Sequence, residues 1–383
     1  MVRCTTARVD LAALESNFRA IGSYLAHESG LNRGAGRGPA IAPSIIAVVK
    51  ANAYGHGARR VAAALEAAGA NMLAVADIEE GVDLRSAGIR APILVFGALS
   101  VSDLDGVFDF GLTPTISSPA AGYALQAGAA RRGATLHYHL KIDTGMNRLG
   151  FRHDNLRRTL PELLASKNLA LDAVHTHFGT ADEPGHQLFD TQRTRFEEAS
   201  RVLDELGAGP RLRHAANSAA LLRDSRVWYD FVRPGLLLYG LVPPPLGSNI
   251  ALKPVMSLTS RVVAVKGVRV GETVGYGGRF VADRPVTLAV IPAGYADGLD
   301  RRLEDHGVVL IRGQRAKIVG AVSMDMLTAD VTDISGVGTG DEVVFLGSQG
   351  DKAIDAREMA DWIGTIPYEI LCRLGSRVER KYE

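Results

Sequence analysis

The chain has 383 residues, enough for two domains and a large buried core. Its 43 Lys and Arg residues balance 42 Asp and Glu residues, so no basic surplus would attract nucleic acid or an anionic membrane. No apolar run reaches the length of about 18 residues that a membrane-spanning helix needs, and the start shows no signal-peptide segment. Two cysteines, Cys4 and Cys372, predict neither a disulfide framework nor a metal cluster. These features predict a cytoplasmic protein that binds small molecules.

The first 240 residues are dominated by short apolar strands that alternate with helical patterns. The predicted strands of this region are 45–50, 71–76, 92–97, 112–117, 136–143, 171–178, 211–216 and 230–240. Eight strand–helix units over about 230 residues favour an α/β fold of the (β/α)8 TIM-type barrel, over 11–243, rather than an open doubly wound sheet. The segment 27–44, rich in Gly, Pro and Arg, is predicted to be a mobile surface loop.

The composition changes at LVPPPLGSNIALKP (241–254), where three successive prolines are typical of a linker. Paired β segments follow, then a late helical stretch (356–375) and a final polar strand. This pattern predicts a mostly β C-terminal domain over 244–383. We expect the polar strand within residues 1–10 to join that domain.

Reactive side chains of a barrel enzyme gather where the strands end, so the strand ends carry the functional prediction. Lys50 ends the first strand, and the fifth strand runs into TGMNRLG, which delivers Arg148. On that fifth strand His137, His139, Lys141 and Asp143 alternate with apolar residues. The sixth strand ends in HTHFGTADE, the seventh in HAANSAALL, and the eighth contains RPG.

Lys50 follows the apolar residues 45–49, and burying an unpaired ammonium among such residues would cost free energy. Taken alone, it is best explained as a lysine that extends its amine to solvent. Barrel enzymes often bind phosphate with the loops after strands 7 and 8, where Ser218 opens a helix and Gly235 allows close backbone approach. Ser218 alone would be an ordinary helix cap. A strand-end lysine together with a phosphate cradle predicts a phosphorylated aldehyde held as a Schiff base, pyridoxal 5′-phosphate.

The HTHF motif offers a different interpretation, because His-x-His at a barrel strand end is also a metal-ligand pattern. No further His or Cys group of suitable spacing accompanies it, so we predict no metal site.

The motifs together resemble one known family over nearly the whole chain, the alanine racemases, which are fold-type III pyridoxal-phosphate enzymes. The motifs that carry the resemblance occur in the family's order: AVVKANAYGHG, KIDTGMNRLG, THFGTADE, HAANSAA, VRPGLLLYG, VGYGG, PAGYADG, SMDM and PYEILC. Any one of them would be weak evidence, whereas the ordered set is highly specific. The resemblance implies a homodimer with shared active sites that interconverts L-alanine and D-alanine and supplies D-alanine for peptidoglycan.

The resemblance also implies a role for each matching residue. Racemisation removes the Cα proton on one face and returns it on the other, so two bases must flank the substrate. The bases implied are Lys50, which also binds the cofactor covalently, and Tyr276 of the partner subunit. Residues implied to bind the cofactor phosphate are Tyr54, Ser218, Gly235, Leu236 and Tyr368. Residues implied around the cofactor ring and substrate are Arg233 at the pyridine nitrogen, Arg148 at the phenolic oxygen and substrate carboxylate, and His177 beside the ring supporting Tyr276.

Four further positions match the family's outer site. The backbone of Met324, also from the partner subunit, is implied to meet the substrate carboxylate, and Tyr295, Asp182 and Arg301 match the narrow entrance. Lys141 matches a lysine that is carboxylated in many members and then holds Arg148. The sequence departs from the usual pattern at Gly275, Phe96 and Ser323, and the first two bear on substrate breadth.

Four other functions compete with this prediction. A decarboxylase on the same scaffold would place an acidic residue at the pyridine nitrogen, where this chain has Arg233, and a D-amino-acid aldolase would need a metal. A non-catalytic pyridoxal-phosphate binder would be a lone barrel, without the domain that carries Tyr276 and Met324. A racemase of broader substrate range stays open as an alternative.

Overall fold

The computed structural model describes residues 4–31, 42–97, 99, 104–304 and 306–383. The chain forms two compact units. The barrel unit comprises Leu14–Ala53 and Ala58–Lys253, and the β unit comprises the chain up to Ala13, Tyr54–Gly57 and Pro254–Glu383.

The secondary structure follows the predicted alternation closely. The strands are β1 (Thr6–Val9), β2 (Ser44–Val48), β3 (Met72–Val75), β4 (Ile93–Val95), β5 (Thr113–Ile116), β6 (Leu136–Asp143), β7 (Phe151–Arg152), β8 (Leu169–His175), β9 (Leu212–Asn217), β10 (Phe231–Arg233), β11 (Met256–Arg261), β12 (Ala264–Val268), β13 (Thr273–Val274), β14 (Phe280–Val281), β15 (Val286–Ile291), β16 (Val308–Ile311), β17 (Gln314–Ile318), β18 (Leu327–Asp330), β19 (Glu342–Gln349), β20 (Lys352–Ile354) and β21 (Glu379–Tyr382). The helices are α1 (Leu11–Leu31), α2 (Lys50–Tyr54), α3 (Ala58–Ala67), α4 (Ile78–Ser86), α5 (Asp105–Asp109), α6 (Pro119–Arg132), α7 (Leu156–Thr159), α8 (Pro161–Leu164), α9 (Leu188–Glu205), α10 (Ser218–Arg223), α11 (Ala356–Ile363) and α12 (Pro367–Cys372).

Eight parallel strands of the barrel unit close into a ring. In ring order they are β2, β3, β4, β5, β6, β8, β9 and β10, and β10 pairs with β2 to complete the closure. Strands β2, β3 and β4 are nearly all buried, because a parallel barrel is covered by helices outside and filled by side chains inside. The predicted TIM-type barrel is confirmed.

The β unit is built on one sheet of ten strands. Its order is β12-β15-β18-β17-β16-β19-β11-β1-β21, with β20 paired to β19. The N-terminal strand β1 lies antiparallel to β11 and parallel to β21. Strands β16 and β17 form a two-residue hairpin in which Arg312 and Gly313 have φ of 53° and 74°, the left-handed pair that a type I′ turn requires. The predicted mostly β C-terminal domain is thereby confirmed as a fold.

Two local predictions are wrong. Helix α1 continues to Leu31, so the segment 27–44 begins as helix, and its last residue, Ser44, opens β2. Buried Ile21 and Leu25 anchor this helix, and the exposed positions that follow them tolerate polar residues. Residues 32–41 of that segment lie outside the described residues. The eighth strand ends at Arg233 rather than at 240, because Pro234 and Gly235 interrupt it, and Leu236–Tyr239 form a 3₁₀ turn.

No helix in the described part of the chain combines the length and the apolar character needed to cross a bilayer.

Candidate active site

Lys50 follows β2 at the C-terminal end of the barrel and opens an unusual turn, α2. The next residues, Ala51, Asn52, Ala53 and Tyr54, have φ between 52° and 55°. This left-handed conformation costs an L-residue other than glycine about 1–2 kcal/mol. Four such residues in succession therefore mark a strained segment directly beside the candidate lysine.

Side chains from neighbouring elements hold this turn. The Glu80 carboxylate accepts hydrogen bonds from the backbone N–H of Ala51 (2.6 Å) and of Ala76 (2.8 Å), which ties the turn to the end of β3. The Asn52 side-chain oxygen accepts from the N–H of Ala58 at 2.8 Å, at the start of α3. These hydrogen bonds stabilise a left-handed backbone conformation that the residues of the turn would not adopt on their own.

Replacing Ala51 with glycine should relieve this strain. Glycine adopts left-handed φ freely, which stabilises the folded state, but it also raises the conformational entropy of the unfolded chain, which opposes this gain. We expect the net effect of A51G on the free energy of unfolding to lie between zero and an increase of about 1 kcal/mol. The matched control is A63G, at an exposed position of right-handed helix α3, which should lower it by about 1 kcal/mol. Urea unfolding measures both, and equal destabilisation by the two variants would contradict the strain.

Cations dominate the barrel mouth. The cation cluster comprises Lys50, Lys141, Arg148 and Arg233, which surround His177. Burial, followed by Arg233 and Arg148, holds the pKa of Lys141 well below its ordinary value, and Asp143 opposes this only partly. Burial together with all four cations holds the pKa of His177 well below its ordinary value, so this imidazole is neutral at pH 7. A site with this charge favours an anionic ligand.

Arg233 is held in place by several hydrogen bonds. It is 3% exposed, and its Nη2 donates to the carbonyl oxygens of Thr176 and Ala215, both at 2.8 Å. Its Nη1 lies 2.8 Å from Nδ1 of His214, and its guanidinium lies 6.0 Å from the centre of the Phe96 ring. Burial lowers the pKa of Arg233 to about 9, so it is a cation at pH 7 and can only donate hydrogen bonds.

The histidine cluster, His139, His175 and His214, fills the barrel interior beneath Arg233. These side chains are 2%, 3% and 0% exposed, in a place where barrels usually hold Val, Ile or Leu. The His139 Nδ1 and His214 Nε2 atoms are 2.9 Å apart, and the His175 and His214 rings stack at 4.6 Å with 10° between their planes. Burial is the first cause that lowers all three pKa values, to about 4 for His139.

Acid should therefore destabilise the fold. Between the ordinary histidine pKa of 6.5 and the His139 pKa of about 4, the unfolded chain binds a proton that the folded chain does not. The free energy of unfolding falls as the pH falls through this window, by about 3 kcal/mol at most for His139, and His175 and His214 add in the same direction. Urea midpoints measured at pH 7, 6, 5 and 4 should decline steeply. A constant midpoint from pH 7 to 4.5 would contradict neutral burial.

Ser218 lies where the phosphate cradle is expected. It is 3% exposed, and its Oγ accepts from the backbone N–H of Gly235 at 2.9 Å and of Leu237 at 3.4 Å. The cap of α10 is the preceding Asn217, whose side chain accepts from Ala220 N, so Ser218 is not an ordinary cap. The hydroxyl oxygen instead joins the loops after β9 and β10 as the acceptor of both bonds.

Within the β unit, two tyrosines of the expected phosphate site meet. The rings of Tyr54 and Tyr368 lie 6.0 Å apart, and burial, followed by Tyr368 and Cys372, raises the pKa of Tyr54. A side chain at Gly55 would place its Cβ 2.2 Å from the Leu371 carbonyl oxygen, so this close approach requires glycine.

The residues expected from the partner subunit and at the entrance lie on the surface of this chain. Tyr276, between Gly275 and Gly277, is 76% exposed, Met324 is 51% exposed and Tyr295 is 43% exposed. Arg301 in the β unit and Asp182 in the barrel unit are also exposed.

Several supporting residues were not singled out from the sequence. The buried Asp297 carboxylate accepts hydrogen bonds from Nε (2.8 Å) and Nη2 (2.9 Å) of Arg377. Arg377 Nη2 also donates to the Met324 carbonyl oxygen at 3.1 Å. Fully buried Gln192 on α9 donates to the His177 carbonyl oxygen at 2.9 Å. Asp297 lies within the PAGYADG motif, which was the one signal for it, and Gln192 had none. Among the described residues, no group of three or more His, Cys, Asp or Glu side chains is placed to hold a metal.

Comparison with known proteins decides the family. Residues 9–243 match the alanine racemase N-terminal domain, and residues 255–382 match the alanine racemase C-terminal domain. The chain belongs to the alanine racemase family. It is 46% identical over 337 residues to an alanine racemase of Carboxydothermus hydrogenoformans, covering 88% of this chain and 91% of that one.

Two solved alanine racemase structures share the whole fold. The enzyme from D-cycloserine-producing Streptomyces lavendulae has 32% identity and a TM-score of 0.92, covering 100% of this chain and 98% of that one. The Bacillus anthracis enzyme with bound L-Ala-P has 35% identity and a TM-score of 0.88, covering 100% and 96%. Members of the alanine racemase family are isomerases that depend on pyridoxal 5′-phosphate, so the predicted family, enzyme class and cofactor are confirmed.

Proposed function

We propose that Lys50 and Tyr276 are the two bases with which this enzyme interconverts L-alanine and D-alanine. The observation that carries the proposal is the division of the chemistry between the units. Lys50 lies at the barrel mouth within the cation cluster, whereas Tyr276 is held between glycines on the surface of the β unit, 76% exposed.

The residues at the barrel mouth fit the cofactor. Arg148 and Arg233 supply positive charge, and this charge adds to burial, the first cause, in lowering the pKa of Lys141 and His177. A phosphorylated, anionic aldehyde matches this donor set, and Lys50 supplies the amine that binds it covalently. When bound, the cofactor withdraws electrons from the substrate and so acidifies its Cα–H bond. Tyr54, Ser218, Gly235, Leu236 and Tyr368 are proposed to bind its phosphate.

The two bases act on opposite faces of the substrate. Lys50 Nζ holds or releases a proton on one face, and Tyr276 Oη of the partner subunit does so on the other. A phenol ordinarily has a pKa near 10, so a tyrosine base needs hydrogen bonds or cations that stabilise its phenolate. His177 is neutral and its Nδ1 lies 3.3 Å from Arg233 Nη2, and we propose that its other ring nitrogen supports Tyr276.

Two arginines control binding and reaction choice. Arg148 is proposed to bind the substrate carboxylate, with Lys141, in a carboxylated form, holding its guanidinium. Arg233, a cation that cannot accept a hydrogen bond, leaves the cofactor's ring nitrogen unprotonated. A weaker electron sink limits side reactions such as transamination.

The proposal requires a homodimer with two shared active sites. Each barrel receives Tyr276 and the Met324 backbone from the partner subunit, and Tyr295, Asp182 and Arg301 form the entrance. Large exposed apolar side chains on the β unit support this arrangement.

The biological setting is inferred from the product and from cysteine chemistry. D-Alanine supplies peptidoglycan synthesis, a role standard for the family. Cys4 and Cys372 are both exposed and form no disulfide, which fits a reducing cytoplasm.

Proton NMR of L-alanine in D2O with the purified holoenzyme, combined with chiral analysis of the product, tests the proposed function. We expect the Cα proton signal to disappear while D-alanine forms. Loss of that signal with retained L configuration would contradict the two-base mechanism, and no exchange at all would contradict the racemase activity.

A further inference from the structure

The histidine cluster is not used by any step described so far, yet it replaces the apolar filling of the barrel interior. Two of its members are linked in series to Arg233: Arg233 Nη1 lies 2.8 Å from His214 Nδ1, and His214 Nε2 lies 2.9 Å from His139 Nδ1. Both distances are those of good hydrogen bonds.

The donors and acceptors of these groups fix the direction of the hydrogen bonds in this series. An arginine only donates, so His214 Nδ1 must accept and must carry no proton. His214 is neutral, because burial and Arg233 depress its pKa, so its single proton is on Nε2. That proton is donated to His139 Nδ1, which leaves the His139 proton on Nε2. The series therefore runs from Arg233 to His214 to His139 with one defined tautomer at each ring.

His175 completes the arrangement by packing rather than by hydrogen bonding. Its ring stacks on His214, and neither of its nitrogens has a hydrogen-bond partner among the described residues. A flat neighbour at 4.6 Å blocks rotation of the His214 ring, so it helps to preserve the two hydrogen bonds.

We propose that His139 is a positioning residue that, through His214, sets the direction in which Arg233 presents its remaining N–H groups. Without the acceptor at His139, His214 can exchange its proton between nitrogens or turn its ring, and Arg233 then loses a fixed partner. The effect on the cofactor rests on the proposed function of Arg233 at the ring nitrogen. The hydrogen-bonded link from His139 to Arg233 does not depend on that proposed function.

Nitrogen-15 NMR of histidine-labelled protein, with and without cofactor, tests the link directly. Ring nitrogen shifts distinguish the two neutral tautomers, and substitution variants assign the signals. We expect His214 and His139 to be neutral with the proton on Nε2 at pH 7. A proton on Nδ1 of His214 in the wild-type protein would overturn the proposal without any variant.

Variants at His139 test the consequence. H139L removes the acceptor, and we expect a second His214 tautomer to appear and kcat to fall by about 3- to 30-fold with KM for alanine within about twofold. H139N returns an acceptor oxygen near the former Nδ1 position, so it should restore both readouts. The matched control is H137N, at an exposed histidine two residues away on β6, which should change neither.

The outcomes separate this proposal from the proposed function. If the wild-type tautomers are as expected but H139L keeps full kcat, the positioning role is overturned. If the wild-type enzyme racemises nothing, the proposed function fails, and the tautomers still decide whether His139 acts on Arg233. If H139L does not fold, the H139N variant and the wild-type nitrogen-15 spectrum still decide whether His139 positions Arg233.

Discussion

Replacing Lys50 with alanine is expected to abolish both racemisation and stable cofactor binding. Lys50 supplies the amine that holds the cofactor covalently and one of the two bases, so K50A removes two functions at once. General acid–base catalysis alone contributes about 10²–10⁴-fold, and we expect a loss of at least about 10³-fold in kcat. Absorbance of the purified protein near the cofactor's visible band and a coupled D-alanine assay measure the two effects.

The control for this variant is K167A, at an exposed lysine outside the barrel mouth, which should retain wild-type cofactor content and rate. Circular dichroism establishes that both variants fold. A K50A protein that keeps its visible band and more than about a tenth of its activity would contradict the assignment of Lys50.

Replacing Tyr276 with phenylalanine should give the second largest loss, with a different signature. The hydroxyl oxygen is the proposed base on one face, so we expect kcat to fall by about 10²–10⁴-fold in both directions. Because Lys50 remains, exchange of the Cα proton with D2O should persist for one enantiomer only. Cofactor content should be unchanged, since Tyr276 is not among the residues proposed to bind the cofactor.

The matched control is Y123F, which removes a hydroxyl from another exposed tyrosine, 45% exposed on α6. It should leave rate and exchange unaltered. Equal loss of exchange for both enantiomers in Y276F would argue against a separate base on each face.

The fold could be predicted from the sequence because each barrel strand carries its own signal. Strand β6 was predicted with its observed ends, since its alternation of apolar and polar residues leaves one register. The left-handed turn after Lys50 could not be predicted, because Ala51 and Ala53 disfavour left-handed φ and Asn52, which tolerates it, would indicate at most a single such residue. Tertiary hydrogen bonds, such as the one from the Ala51 N–H to the Glu80 carboxylate, help to stabilise it.

The candidate site was predictable only where motifs are specific. Lys50, Arg148 and Arg233 were found at strand ends, and the structure places them in one cation cluster with Lys141. The histidine cluster was missed, although the HYHLK and HTHF patterns place alternate histidines on one strand face. Nothing in those patterns shows that three rings from three strands meet inside the barrel, since strand order and register decide that contact.

Subunit complementation shows whether the two subunits of the dimer share each active site. Chains carrying K50A and chains carrying Y276F are co-expressed with different tags, and the heterodimer is isolated on both tags in turn. If Tyr276 serves the partner subunit's barrel, one site of each heterodimer carries both defects and the other carries none, so about half of the wild-type activity returns. If the heterodimer is as inactive as either parent homodimer, each Tyr276 serves its own barrel and the shared-site account is wrong.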